Sequence, residues 1–139
     1  EPAALPLLMQ FPIYPAANRG TRYPSDDLYS DGYILSSVDM EFYTRAYGAD
    51  NSHWRGAPLI ADLAGLPPTF LVTAALDPLR DSGRAFAAKA IEAGVQVAYR
   101  EYKGTVHGFC TFRKAIPSAQ ADLESMLAIA KGMIAEALG

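Results

Sequence analysis

Along this chain, short apolar runs alternate with polar, turn-rich stretches. Leu5 to Tyr14 (LPLLMQFPIY) is apolar and closed by Pro15, and its length and prolines favour a buried strand with Pro12 near its end. Ala16 to Gly32, with Asn18-Arg-Gly20 and Pro24-Ser-Asp-Asp27, is polar and reads as a surface excursion. Ser36 or Ser37 then caps a helix over 37–47 that carries Asp39 in its first turn, and Gly48 provides the stop. Asp50 to Pro58 is a second loop. Phe70 to Ala75 (FLVTAA) is the clearest strand, apolar on both faces as a helix-covered parallel sheet requires. A helix over 81–93 places Phe86, Ala87, Ala90 and Ile91 on one face and ends at Gly94. Val95 to Tyr102 alternates apolar and polar positions, the pattern of a half-buried strand near a sheet edge. A loop from Gly104 to Phe112 leads to a closing helix over 118–138, with Leu123, Met126, Leu127, Ala130, Met133, Ile134 and Leu138 at helical spacing.

Strands alternating with helices predict an α/β fold built of parallel βαβ units. The three strands, near 5–14, 70–75 and 95–102, are fewer than such sheets usually have. The expectation is a single partial domain over 1–139, and the start at Glu1-Pro2, without an initiator methionine or signal-like segment, is read as a cut through something longer. At 139 residues and a net charge of −3, the chain does not suit nucleic acid or a polybasic membrane patch. No run of about 18 apolar residues suggests a membrane span. The single cysteine, Cys110, excludes an internal disulfide and fits a reducing cytoplasm, which is the expected location.

Two places carry candidate chemistry. Leu76-Asp77-Pro78-Leu79-Arg80-Asp81 lies at the carboxyl end of the best strand, where open α/β sheets bind ligands. Pro78 keeps Asp77 out of helical geometry, while Asp81 falls where it can cap the next helix. By position alone, Asp77 fits a turn former as well as a reactive carboxylate. His107, between Gly104 and Gly108 just after the next strand, fits a surface loop as well as an active imidazole. His53, beside Trp54 and Arg55, reads as structural or exposed. Together, Asp77 and His107 share one sheet edge, the arrangement an Asp–His dyad needs.

Asp77-Pro-Leu-Arg-Asp81-Ser-Gly83 and His107-Gly-Phe109, thirty residues apart, resemble the closing motifs of the hormone-sensitive-lipase-like carboxylesterases of the α/β-hydrolase superfamily. Tyr14-Pro15, Ala57-Pro58-Leu59 and Leu66-Pro67-Pro68 extend the likeness over nearly the whole chain. The resemblance implies the C-terminal half of an α/β-hydrolase fold, with Asp77 as triad acid and His107 as triad base. It also implies hydrolysis of carboxylic esters with short to medium acyl chains, and no cofactor or metal. Leu79, Val106 and Phe109 flank the dyad as candidate pocket or packing residues. The excursion over 16–57 would contribute to the cap and cover of the site.

The family's nucleophile sits in a Gly-x-Ser-x-Gly elbow upstream of the acid. None of the serines here (25, 30, 36, 37, 52, 82, 118, 125) has glycine two before and two after. Cys110 follows the histidine and so cannot replace that serine; it reads as a small packing residue. The expectation is a chain that supplies Asp and His only and is inactive alone, with the N-terminal half of the same protein and a small ester as partners. The 95–102 edge strand would pair with its copy in a homodimer. An amidase or peptidase of the same fold, and a non-catalytic binding form of the scaffold, are the alternatives.

Overall fold

The computed structural model describes residues 7–48 and 50–139. Its frame is strand β1 (Thr69–Leu76), helix α3 (Arg80–Glu92), strand β2 (Val97–Val106) and helix α4 (Ala119–Leu138), preceded by the short helices α1 (Pro24–Leu28) and α2 (Ser37–Tyr47). β1 and β2 pair in parallel, from Thr69 opposite Val97 to Leu76 opposite Val106. β1 is buried on both faces because helices cover both. Phe70, Val72 and Ala74 point to one side and pack with Met126 and Ala130 of α4 and with Tyr102 and Phe109. Leu71 points to the other side and packs with Phe86, Ala87 and Ala90 of α3 and with Val95. Strand alternation thus divides the core between two helices, as its near-continuous apolar run requires.

The expected first strand is only partly regular. Gln10 and Ile13 form parallel bridges to Thr69 and Val72, while positions 5 and 6 of the expected strand and the start at Glu1-Pro2 lie outside the described residues. Gln10 N–H donates to Pro68 O, Phe70 N–H to Gln10 O, Val72 N–H to Pro12 O and Tyr14 N–H to Val72 O. Pro12 has no N–H to give where the ladder needs one, so the pairing breaks into two bridges.

Ser36 caps α2: its hydroxyl accepts from Asp39 N–H at 3.2 Å, and Asp39 accepts from Ser36 N–H at 2.9 Å. Gly48, with φ of 62°, ends it in the left-handed conformation. Three expectations are corrected. Pro24–Leu28 is a helix rather than open loop, because Pro24 starts it and the Asp26 carboxylate accepts from Tyr23 N–H at 2.7 Å. β2 begins at Val97, since Val95 is still in the turn after α3, its N–H bonded to Ala90 O at 3.0 Å. β2 also runs on to Val106, through residues read as loop. Between the Ala74–Tyr102 and Leu76–Val106 pairs, β1 advances two residues and β2 four. Gly104 absorbs this bulge at φ 71°, and the buried Thr105 hydroxyl closes it on Tyr102 O at 2.7 Å.

Gly83 lies where α3 meets β1, and a Cβ there would come within 2.7 Å of Thr73 Cγ2. Thr73 is fully buried and its hydroxyl is 2.7 Å from Tyr99 OH, so it cannot yield cheaply. Gly83→Ala is expected to destabilise by about 1 kcal/mol net, as overpacking outweighs the usual gain in helix propensity. Urea unfolding checks this: a raised midpoint would show that α3 can lift off β1 freely.

Candidate active site

Asp77 leaves β1 at its carboxyl end and is fully buried. Pro78 then turns the chain, so that Leu79 N–H donates to Asp77 Oδ1 at 2.8 Å and Arg80 N–H to the Asp77 carbonyl at 3.0 Å. The second carboxylate oxygen, Oδ2, lies 2.8 Å from Nδ1 of His107. Both oxygens of this buried group are therefore satisfied, as a carboxylate removed from water requires. With Nδ1–H donating to Asp77, the imidazole keeps the tautomer whose Nε2 can accept a proton.

His107 reaches that position because the bulge in β2 carries the chain one step past Leu76. Gly108, at φ 75°, then turns it back so that Phe109 N–H bonds Val106 O at 3.2 Å. The His107 side chain keeps 27% of its surface exposed. That surface opens on a cavity of about 410 Å³. The cavity is also lined by Met40, Tyr43 and Tyr47 of α2, by Asn51, Arg55 and Pro58 of the loop after it, and by Leu35 and Leu79, which pack with Met40.

Of the residues singled out from sequence, Asp77 and His107 come together and Leu79 lines the cavity. Val106 ends β2, and Phe109 is fully buried in the core; neither lines the cavity. Asp81 does not cap α3, whose N-cap is Leu79; its carboxylate accepts from Ser25 N–H at 3.0 Å and pairs with Arg80 and Arg84 at 2.8 and 3.0 Å. Burial would raise this carboxyl, but the Arg80 hydrogen bond, with Ser25 N–H and the two guanidinium charges, holds it below the ordinary aspartate value. His53 sits in an exposed turn, its Nδ1 accepting from Arg55 N–H at 3.2 Å. Cys110 is half-buried against the core that includes Phe109.

Tyr14 was visible in the sequence as the end of an apolar run and in the Tyr14-Pro15 pair of the resemblance, with no role at the site. Its ring meets the His107 imidazole edge-on, with centroids 4.6 Å apart. The backbone is left-handed there, at φ 39°, a conformation that costs a residue with a side chain about 1–3 kcal/mol. Burial, and then neighbouring Cys110, push the phenol up to about 12, so it stays protonated and neutral beside the imidazole. The cavity residues of α2 were hidden because helical spacing there gives no hint of which face meets the dyad.

The three-layer arrangement, with an acid ending one parallel strand and a histidine ending the next, defines a hydrolase scaffold. A family model described as alpha/beta hydrolase fold matches residues 2–111, and the chain belongs to that family. Lipase 2 of Moraxella sp. (strain TA144) is 38% identical over 106 residues, which are 73% of this chain and 24% of that protein. Carboxylesterase NlhH of Mycobacterium tuberculosis is 35% identical over 121 residues, 82% of this chain and 38% of that one. Among solved structures, an esterase of Pyrobaculum calidifontis superposes with a TM-score of 0.82 at 31% identity, covering 96% of this chain and 44% of the other. The thermophilic carboxylesterase EstE1, from a metagenomic library, gives 0.83 at 29% identity over 92% and 46%. These relatives place the chain in the hormone-sensitive-lipase-like branch that its motifs resemble. The chain spans between about a quarter and just under half of the length of these relatives. No helix among the described residues is long and apolar enough to cross a membrane.

Proposed function

We propose that the protein to which this chain belongs hydrolyses carboxylic esters with short to medium acyl chains, and that Asp77 and His107 are its acid and base. The observation that carries this reading is the buried Asp77 carboxylate bonded to Nδ1 of an imidazole that faces an apolar-walled cavity. A serine from outside 1–139 attacks the ester carbonyl. His107 takes its proton at Nε2 and passes it to the departing alcohol, and Asp77 stabilises the imidazolium in between. Water then deacylates the serine by the same route. The oxyanion donors come with the serine's segment, so residues 1–139 alone lack both nucleophile and oxyanion site and have no turnover.

Segment 16–57 contributes to the cover of the site. Val38, Phe42, Tyr43 and Tyr47 on α2 are each at least 60% exposed, an apolar surface suited to lie under a cap from the rest of the protein. β2 is the outer strand of the described pair, with Tyr99 and Arg100 exposed, and its free edge would pair with a second copy. A monomeric mass for the full-length protein by light scattering would reject that dimer.

The reading is tested by treating the full-length protein and the chain 1–139 with a fluorophosphonate, followed by intact-mass analysis. The expected result is one adduct on the full-length protein and none on 1–139. A full-length protein that takes no label and turns over no p-nitrophenyl ester would make the scaffold a binding form. Faster cleavage of the matching anilide than of the ester would make it an amidase.

A further inference from the structure

Helix α1 is tied to the turn that carries Asp77. Ser25 of α1 is fully buried, and every polar group it contributes to the contact goes to that turn. Its hydroxyl donates to Pro78 O at 2.7 Å and accepts from Asp81 N–H at 3.2 Å, and its own N–H donates to Asp81 Oδ2 at 3.0 Å. A second tie runs beside it: Arg80 Nη1 donates to Tyr29 OH at 2.9 Å and to Ala75 O at 3.2 Å, with the guanidinium 5.1 Å from the Tyr29 ring centre. The turn's internal bonds, from Leu79 and Arg80 N–H to Asp77, set its shape but not its tilt against the sheet. The bonds to Ser25 grip it on both sides of Leu79. A buried, fully satisfied hydroxyl of this kind specifies one arrangement, because any other leaves a donor or acceptor stranded.

We propose that Ser25 is a positioning residue for the Asp77–His107 dyad: through Pro78 and Asp81 it fixes the tilt of the acid's turn, and so the line from Asp77 Oδ2 to His107 Nδ1. The inference rests on that dyad being the acid and base of the hydrolase. It gives α1, which follows the apolar segment ending at Tyr14 and precedes the cavity wall, a direct hold on the catalytic acid. Small displacements of such a group cost rate steeply, about a hundredfold for an ångström.

The test uses the full-length protein with a p-nitrophenyl ester, comparing Ser25→Ala, Ser25→Thr and Asp77→Asn. Ser25→Ala is expected to lower kcat about tenfold to a hundredfold with KM within twofold, and to shift or broaden the far-downfield proton resonance of the Nδ1–H···Oδ2 bond. Ser25→Thr, which keeps the hydroxyl, is expected to restore most of kcat. Should Ser25→Ala not fold, Ser25→Cys leaves no cavity and has a weaker donor, and is expected to show the same loss in smaller measure. If either variant loses thermal stability while kcat and the resonance stay at wild type, Ser25 is only structural and the inference is overturned. That outcome with an inactive Asp77→Asn leaves the hydrolase reading standing, whereas wild-type turnover in Asp77→Asn overturns both.

Discussion

Asp77→Asn in the full-length protein is expected to lower kcat about ten-thousandfold while leaving the fold intact. The size of the loss follows from which atoms change. Asn keeps an oxygen for Leu79 N–H, so the turn after β1 can hold its shape. The other terminus becomes an NH2 facing Nδ1 of His107, where now a carboxylate oxygen lies at 2.8 Å. Two donors then oppose each other, and the imidazole responds by placing its proton on Nε2, where it can no longer accept one from the serine. The amide also carries no charge to stabilise the imidazolium. His107→Ala removes the proton carrier itself and is expected to cost at least as much. Steady-state kinetics with a p-nitrophenyl ester, beside urea unfolding of each variant, checks both; ordinary turnover in a folded His107→Ala would remove the mechanism.

The largest expected loss of stability is at Phe109. The resemblance to a family motif made it a candidate pocket residue, but its side chain is fully buried, with ring centroids 5.9 Å from Tyr14 and 5.6 Å from Tyr102. Phe109→Ala removes buried ring surface and leaves a hole that the sheet and α4 close only partly, which costs about 3–5 kcal/mol. The urea midpoint of the full-length protein is expected to fall accordingly, with KM nearly unchanged in the folded fraction. A large rise in KM at unchanged stability would return Phe109 to the pocket. The two outcomes separate a residue that supports the His107 loop from one that touches substrate.

Much of the architecture was legible because it rests on local chemistry. Phe70–Ala75 is apolar at every position but Thr73, on both faces, and a strand covered on both sides satisfies that. The stops at Gly48 and Gly94 and the cap at Ser36 follow from backbone preferences that travel with the residue. The breaks in regularity were less visible. Pro12 was expected only near the end of its strand, and the bulge at Gly104 depends on the partner strand, whose register no run of residues encodes alone.

The site divides in the same way. Asp77 and His107 could be singled out because each ends a strand, and parallel strands bring their carboxyl ends to one edge. Asp81 was expected to cap the helix, as a carboxylate at a helix start does in most settings; instead it is engaged by Arg80, Arg84 and the N–H of Ser25, 56 residues earlier in the chain. Tyr14 and the α2 side of the cavity are likewise products of long-range packing. The sequence by itself determined the parallel α/β order and the two-faced burial of β1, because these depend on residue type and short spacing, and the pairing of an acid with a histidine, because each follows a strand and parallel strands bring their carboxyl ends to one edge. The tertiary structure alone decided the bulge that aims His107, the cavity wall and the clasp on the acid's turn, because each joins residues whose separation in the chain carries no periodic signal.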